Sequence, residues 1–143
     1  MRKIIYLQII MILVICGCDI STPEEASEGE IENALAAIEL AFDLDNIDDI
    51  MAFYDEDYLH NGDDIDDVLL DWEIRINDYQ GMELSEIDIE LDGDKTTVRL
   101  IRKFINNGVI MVEYNDPEDN GDLSYWQLRE NDWLIRGNEV TGK

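Results

Sequence analysis

From Ile31 the apolar residues Ile31, Leu35, Ile38 and Phe42 recur at helical spacing, and Ala34, Ala37 and Ala41 widen the same stripe, which predicts a first amphipathic helix. Asn46 offers a cap for a second, Asp48 and Asp49 suit its first turn, and Ile47, Ile50, Met51 and Tyr54 share one face. Tyr58-Leu59-His60 reads as a short strand closed by an Asn61-Gly62 turn. A third helix carries Ile65, Val68, Leu69, Trp72, Ile76 and Tyr79 on one side and Asp66, Asp67, Asp71 and Glu73 mainly on the other.

After Gly81 the period changes from helical to two. Strands are expected over 84–91, 96–105, 109–115, 123–130 and 133–140, joined by turns at Asp92-Gly93, Asn107-Gly108 and Glu130-Asn131-Asp132 and by a longer acidic loop from Asn115 to Asp122. Helices first and strands afterwards predict an α+β domain in which three N-terminal helices pack on one face of a curved antiparallel sheet, its strands running as a meander.

The first residues follow a different rule. Arg2 and Lys3 precede an apolar run from Ile4 to Ile15, broken by Gln8, in the order of a secretory signal. The run is shorter than the about 20 apolar residues that span a bilayer, which makes an uncleaved transmembrane helix the weaker alternative. It ends in Ile15-Cys16-Gly17-Cys18, which resembles the bacterial lipobox. That resemblance implies diacylglycerol on the Cys18 thiol, cleavage before Cys18 and acylation of the new amino terminus. More than one acyl chain is what stable anchoring of a soluble domain needs. Ordinary secretion with Cys18 free, or with a Cys16–Cys18 disulfide, is the alternative. Asp19 resembles an inner-membrane retention signal, so the expected location is the bacterial envelope, on the periplasmic side of that membrane. The chain then divides into a signal peptide (1–17), a lipidated cysteine with an acidic tether (18–29) and one domain (30–143). Within the tether, Thr22-Pro23-Glu24-Glu25 also reads as a helix start.

Charge narrows the partners. After residue 17 the chain carries eight basic residues against 35 acidic ones, a formal charge of −27. Such a surface repels phosphate backbones and anionic lipid head groups, so nucleic acid is not an expected partner and the membrane is reached through lipid rather than charge. The acids alternate with Ile, Leu, Val, Trp and Tyr in periodic patterns, as in a folded domain and unlike a disordered acidic tail. With Cys16 removed and Cys18 acylated no thiol remains, which excludes disulfides, thiol catalysis and cysteine metal sites.

Asp45 to Tyr58 (DNIDDIMAFYDEDY) is similar to the second-helix segment of the nuclear transport factor 2-like superfamily, which includes the SnoaL-like and ketosteroid isomerase families. Asp132 to Gly137 (DWLIRG) resembles the last strand of many members. The resemblance implies a cone-shaped fold over residues 30–140. Isomerase members place a tyrosine on the first helix and an aspartate after the first strand. Ungapped matching puts Ile38 and Gly62 at those positions, so both catalytic groups are missing, with Asp63 and Asp64 as the nearest substitutes for the base. Members often dimerise through the open sheet face, which makes a homodimer a further expectation.

Other chemistry is sparse. His60 is the only histidine, which rules out a multi-histidine metal centre and fits a hydrogen-bonded structural or surface residue rather than a catalyst. Asp116 to Gly121 begins like a calcium loop, yet the twelfth position is Gln127 rather than a bidentate Glu. No cofactor is expected. Tyr54, Tyr58, Trp72, Tyr79, Trp126 and Trp133 are the candidates to line a pocket for a small apolar ligand, with Arg102 as anion anchor on the apolar strand face of Val98, Leu100 and Phe104; the alternative is that they fill the core. Arg99, Arg102 and Lys103 are expected to offset acids across the sheet. Three functions follow: a non-catalytic, lipid-anchored binding or protein-interaction domain; a lyase, isomerase or hydrolase using a carboxylate at the cone mouth; and a cation-responsive acidic domain.

Overall fold

A computed structural model describes residues 23–115 and 123–138. Helix α1 (Pro23–Asp43) begins at the proline of the tether and crosses the expected tether–domain boundary without a break. It buries Ile31, Leu35, Ile38, Ala41 and Phe42. Ala37 is exposed, contrary to its place in the expected stripe. Helix α2 (Ile47–Met51) is capped by the Asn46 side chain, which accepts from Asp49 N–H. The short strands β1 (Leu59–His60) and β2 (Asp63–Asp64) pair around the Asn61-Gly62 turn. Helix α3 (Ile65–Asp78) then starts from a capping box: Asp64 accepts from the Asp67 N–H, and the Asp67 side chain accepts from the Asp64 N–H.

Strands β3 (Gly81–Asp92) and β4 (Lys95–Asn106) form the long hairpin of the sheet. In β4, Thr96, Val98, Leu100, Arg102 and Phe104 are buried against the helices, while the alternate residues face outward. Arg102 thus sits on the apolar face, whereas Arg99 and Lys103 reach Asp88, Glu90 and Glu83 on the other side. Between Ser85 and Asp88 the register shifts, with Glu86 and Ile87 set against Leu100 alone and Glu86 at φ 52°, a bulge that bends the sheet. The edge of β3 is blunted from α1: the Asp43 and Glu39 carboxylates accept from the N–H groups of Met82 and Leu84 at 3.2 and 3.0 Å.

The remaining strands do not continue as a meander. β5 (Val109–Asn115) pairs with residues 100–106 of β4, and β6 (Tyr125–Arg129) pairs with residues 95–97 of the same strand. β5 and β6 are therefore two sections of one interrupted neighbour of β4. The expected acidic loop between them falls largely outside the described residues. Leu123 and Ser124, expected in a strand, precede β6 and are fully buried. β7 (Asp132–Ile135) closes the sheet, shorter than expected, and residues 139–143 lie outside the described set. Backbone bonds from Ile135 N–H to Phe53 O, from Asp55 N–H to Ile135 O and from Leu59 N–H to Arg136 O join β7 to the segment after α2. These links close the cone on its helical side.

Candidate functional site

Tyr54, Tyr58, Trp72 and Tyr79 converge inside the cone. Trp72 donates its indole N–H to the Tyr54 hydroxyl at 3.0 Å, and the Tyr54 and Tyr58 rings meet edge to face at 5.5 Å. Phe42, Trp72 and Phe104 form a triangle with centroids 5.3–6.4 Å apart. The Arg102 guanidinium lies 5.7 Å from the ring centroids of both Trp72 and Phe104, with Arg75 at 5.5 and 5.3 Å on the same two rings. Trp72 and Arg102 are at most 1% exposed, so the cation is held by π faces inside the packed interior. Tyr79 packs on Phe104, with its hydroxyl 3.1 Å from the Met111 sulfur. Tyr54, Tyr58, Trp72 and Tyr79 thus spend their rings on neighbours, whereas Trp126 and Trp133 lie elsewhere in the sheet.

Two open clefts lie elsewhere. The first, about 370 Å³, sits on the outward sheet face between β3, β4, β6 and the end of β7, and is bordered by Glu90, Asp92, Lys95, Tyr125, Trp126 and Arg136. Trp126 is the one proposed pocket residue that reaches it, and its indole N–H is already donated to Leu123 O at 2.8 Å. Arg99 beside Glu90 holds that carboxyl below the usual carboxylate range, by hydrogen bonding first and charge second, and Arg99 is itself shifted upward in return. The second cleft, about 460 Å³, runs between α1, the end of α2 and β7. Neither cleft is bordered by Tyr54, Tyr58, Trp72 or Arg102.

Asp63 and Asp64 are both exposed. Asp64 is the α3 cap, its Oδ1 accepting from both Asp66 and Asp67 N–H, so that oxygen is committed to the helix terminus. Among the described residues the buried carboxylate is Asp55, 5% exposed, which sequence offers no reason to single out from its acidic neighbours. One oxygen accepts from Asp57 N–H at 2.8 Å and the other from Arg129 Nε at 3.0 Å, tying the α2–β1 link to β6. Its position between the buried Tyr54 and Tyr58 is the only mark sequence offers.

His60 is buried, which leaves the structural one of its two expected placements. Asn138 N–H donates to its Nδ1 at 3.3 Å, Asn61 Nδ2 lies 3.0 Å from Nε2, and its ring packs on Tyr125 at 5.6 Å. Among the described residues no three His, Cys, Asp or Glu side chains are grouped to hold a metal ion. No helix among them is long and apolar enough to cross a membrane. Cys18 lies outside the described residues.

No protein-family model matches the chain. No curated protein matches it either. Solved structures do share its fold. One is Bd1075 of Bdellovibrio bacteriovorus, at TM-score 0.61 and 13% identity over 84% of this chain; the match takes in 43% of that protein, so this chain spans less than half its length. A putative scytalone dehydratase from Novosphingobium aromaticivorans superposes at 0.58 with 14% identity over 80% of this chain and 82% of that one. A nuclear transport factor 2-like protein of unknown function from Shewanella oneidensis does so at 0.59, with 14% identity over 78% and 95%. The cone is thus the nuclear transport factor 2-like, cystatin-like fold. Identities this low establish architecture alone, and one such architecture carries enzymes and non-enzymes alike.

Proposed function

We propose that this chain, built on the nuclear transport factor 2-like cone, is a lipid-anchored protein of the bacterial envelope whose domain binds a protein partner and performs no catalysis. The observation that carries this reading is the occupied interior: Tyr54, Tyr58, Trp72, Arg102 and Phe104 are packed against one another, leaving the surface as the working part. Ile38 and Gly62 at the two positions of the isomerase groups, and exposed Asp63 and Asp64, support the same conclusion. An exposed carboxylate gains neither the desolvation nor the pairing that would tune it as a base near neutral pH.

The anchor is proposed from Ile15-Cys16-Gly17-Cys18. Because α1 begins at Pro23, the link from Cys18 to the helix reaches at most about 18 Å, and the domain rides close to the bilayer rather than on a long tether. Metabolic labelling with an alkyne analogue of palmitate is expected to mark the wild type and not Cys18→Ser, which should leave the membrane fraction. Crosslinking in membranes is expected to return a defined protein partner. Label retained on Cys18→Ser would refute the anchor. Turnover of a small molecule that Asp63→Asn and Asp64→Asn together abolish would refute the non-catalytic reading.

A further inference from the structure

β5 lies at an edge of the sheet. It pairs with β4 on one side, and on the other no described strand follows it, because β7 covers β6 and stops there. Asn107 and Gly108, both at positive φ, make a two-residue turn, so Asn106 and Val109 exchange hydrogen bonds across it. In that phase Met111 also bonds to β4, while the backbone groups of Ile110 and Val112 point away from it. The same alternation puts the N–H groups of Met82 and Leu84 on the outer edge of β3, where they meet the Asp43 and Glu39 carboxylates.

The edges are therefore guarded unequally. Those carboxylates and the bulge blunt β3, and β7 is bonded to the segment after α2. β5 has no such guard: the Ile110 and Val112 N–H groups have no described partner, and the side chains of Val109, Ile110 and Val112 are 70, 56 and 40% exposed. A bare edge that is also apolar is a template for a further strand.

Charge selects the occupant. A second copy would bring together two domains of formal charge −27, each with eight basic against 35 acidic residues, and self-repulsion opposes that contact. A basic segment is drawn in by the same field. We infer that β5 is the docking edge for a basic, extended segment of a protein partner, which adds a strand to the sheet. Carbonyls of the segment accept from the Ile110 and Val112 N–H groups, its own N–H groups donate to the Ile110 and Val112 carbonyls, and its alternate apolar side chains lie beside theirs. The inference rests on the reading of the domain as a protein-binding module and names which surface does the binding.

The full chain, in neutral detergent at physiological salt, is titrated with a capped peptide of alternating valine and threonine flanked by lysines, while backbone amide exchange is followed by NMR. Saturable binding is expected, with exchange slowed at Ile110 and Val112 and unchanged at Met82 and Leu84. Peptides N-methylated on one or the other set of alternate residues should separate: the set that faces β5 loses binding at least about tenfold, and the other keeps it within about twofold. Replacing the lysines by glutamates should weaken binding at least about tenfold. Val112→Pro, which removes an N–H that the β4 ladder does not use, should abolish binding with the circular dichroism spectrum unchanged. If that variant unfolds, the methylated peptides still decide. Equal behaviour of the two methylated sets, a glutamate peptide that binds as tightly, or exchange slowed evenly along the acidic segments would each overturn the inference. Protection of Ile110 and Val112 without peptide, in a particle that sediments as two chains, would overturn it in favour of a second copy. If the edge fails while membrane crosslinking still returns a partner, only the edge is lost; if both fail, the module reading goes with it.

Discussion

Gly137 follows β7 with φ +80°, and a Cβ built there would stand 2.7 Å from the Leu59 carbonyl carbon and 2.8 Å from His60 Cβ, closer still to the Leu59 oxygen. Two separable penalties apply to Gly137→Ala. Placing an L-residue in left-handed backbone costs about 1–2 kcal/mol. Forcing apart a backbone contact in a packed region costs about 1–3 kcal/mol more. Gly108, in the β4–β5 turn at φ +80° with nothing within 4 Å of a Cβ, isolates the first penalty. Gly29, inside α1 with equally open surroundings, carries neither, so Gly29→Ala should stabilise by about 0.5–1 kcal/mol through helix propensity. The expected losses are therefore about 1–2 kcal/mol for Gly108→Ala and about 2–5 kcal/mol for Gly137→Ala. At roughly 4 °C per kcal/mol for a domain of this size, the latter lowers the melting temperature by about 8–20 °C. Urea unfolding followed by tryptophan fluorescence, at fixed ionic strength, measures all three. If Gly137→Ala costs no more than Gly108→Ala, the close approach of β7 to β1 is absent and the closure of the cone argued above is wrong.

Removing the α3 cap by Asp64→Ala should cost about 1–2 kcal/mol in the same assay, against less than about 0.5 kcal/mol for exposed Asp63→Ala; equal effects would contradict the capping box. A double-mutant cycle of Tyr54→Phe and Trp72→Phe should yield a coupling of about 0.5–1.5 kcal/mol for their buried hydrogen bond, and additivity would deny it. Glu90 should titrate by NMR below the ordinary carboxylate range and return to it in Arg99→Gln. Because its folded value is depressed, the Arg99 contact favours folding above the ordinary carboxylate pKa and loses that effect as pH falls through the folded value. An unchanged Glu90 titration in Arg99→Gln would refute the pairing.

Local pattern alone determined much of this protein. Ile31, Leu35, Ile38 and Phe42 specify the buried stripe of α1, because residues three and four apart share a helix face whatever lies beyond. Strand alternation placed Arg102 among Val98, Leu100 and Phe104, and Asn107-Gly108 marked its hairpin because both residues tolerate the positive φ they adopt, 50° and 80°. What the pattern left open was whether the aromatic set walls a cavity or fills it. Trp72 and Tyr54, 18 residues apart, and Arg102, 30 residues further along, meet only when the segment after α2, α3 and β4 close on one another. The same holds for β5 and β6, which share the edge of β4 rather than extend a meander; period two specifies a face, not a neighbour. The groove between Glu30 and Asp132 and the buried Asp55–Arg129 pair join residues 102 and 74 positions apart. Side-chain periodicity is a property of a few consecutive residues, whereas a cleft or a buried ion pair exists only between elements. The tertiary structure alone decided those, by settling which faces were left over once the core was full.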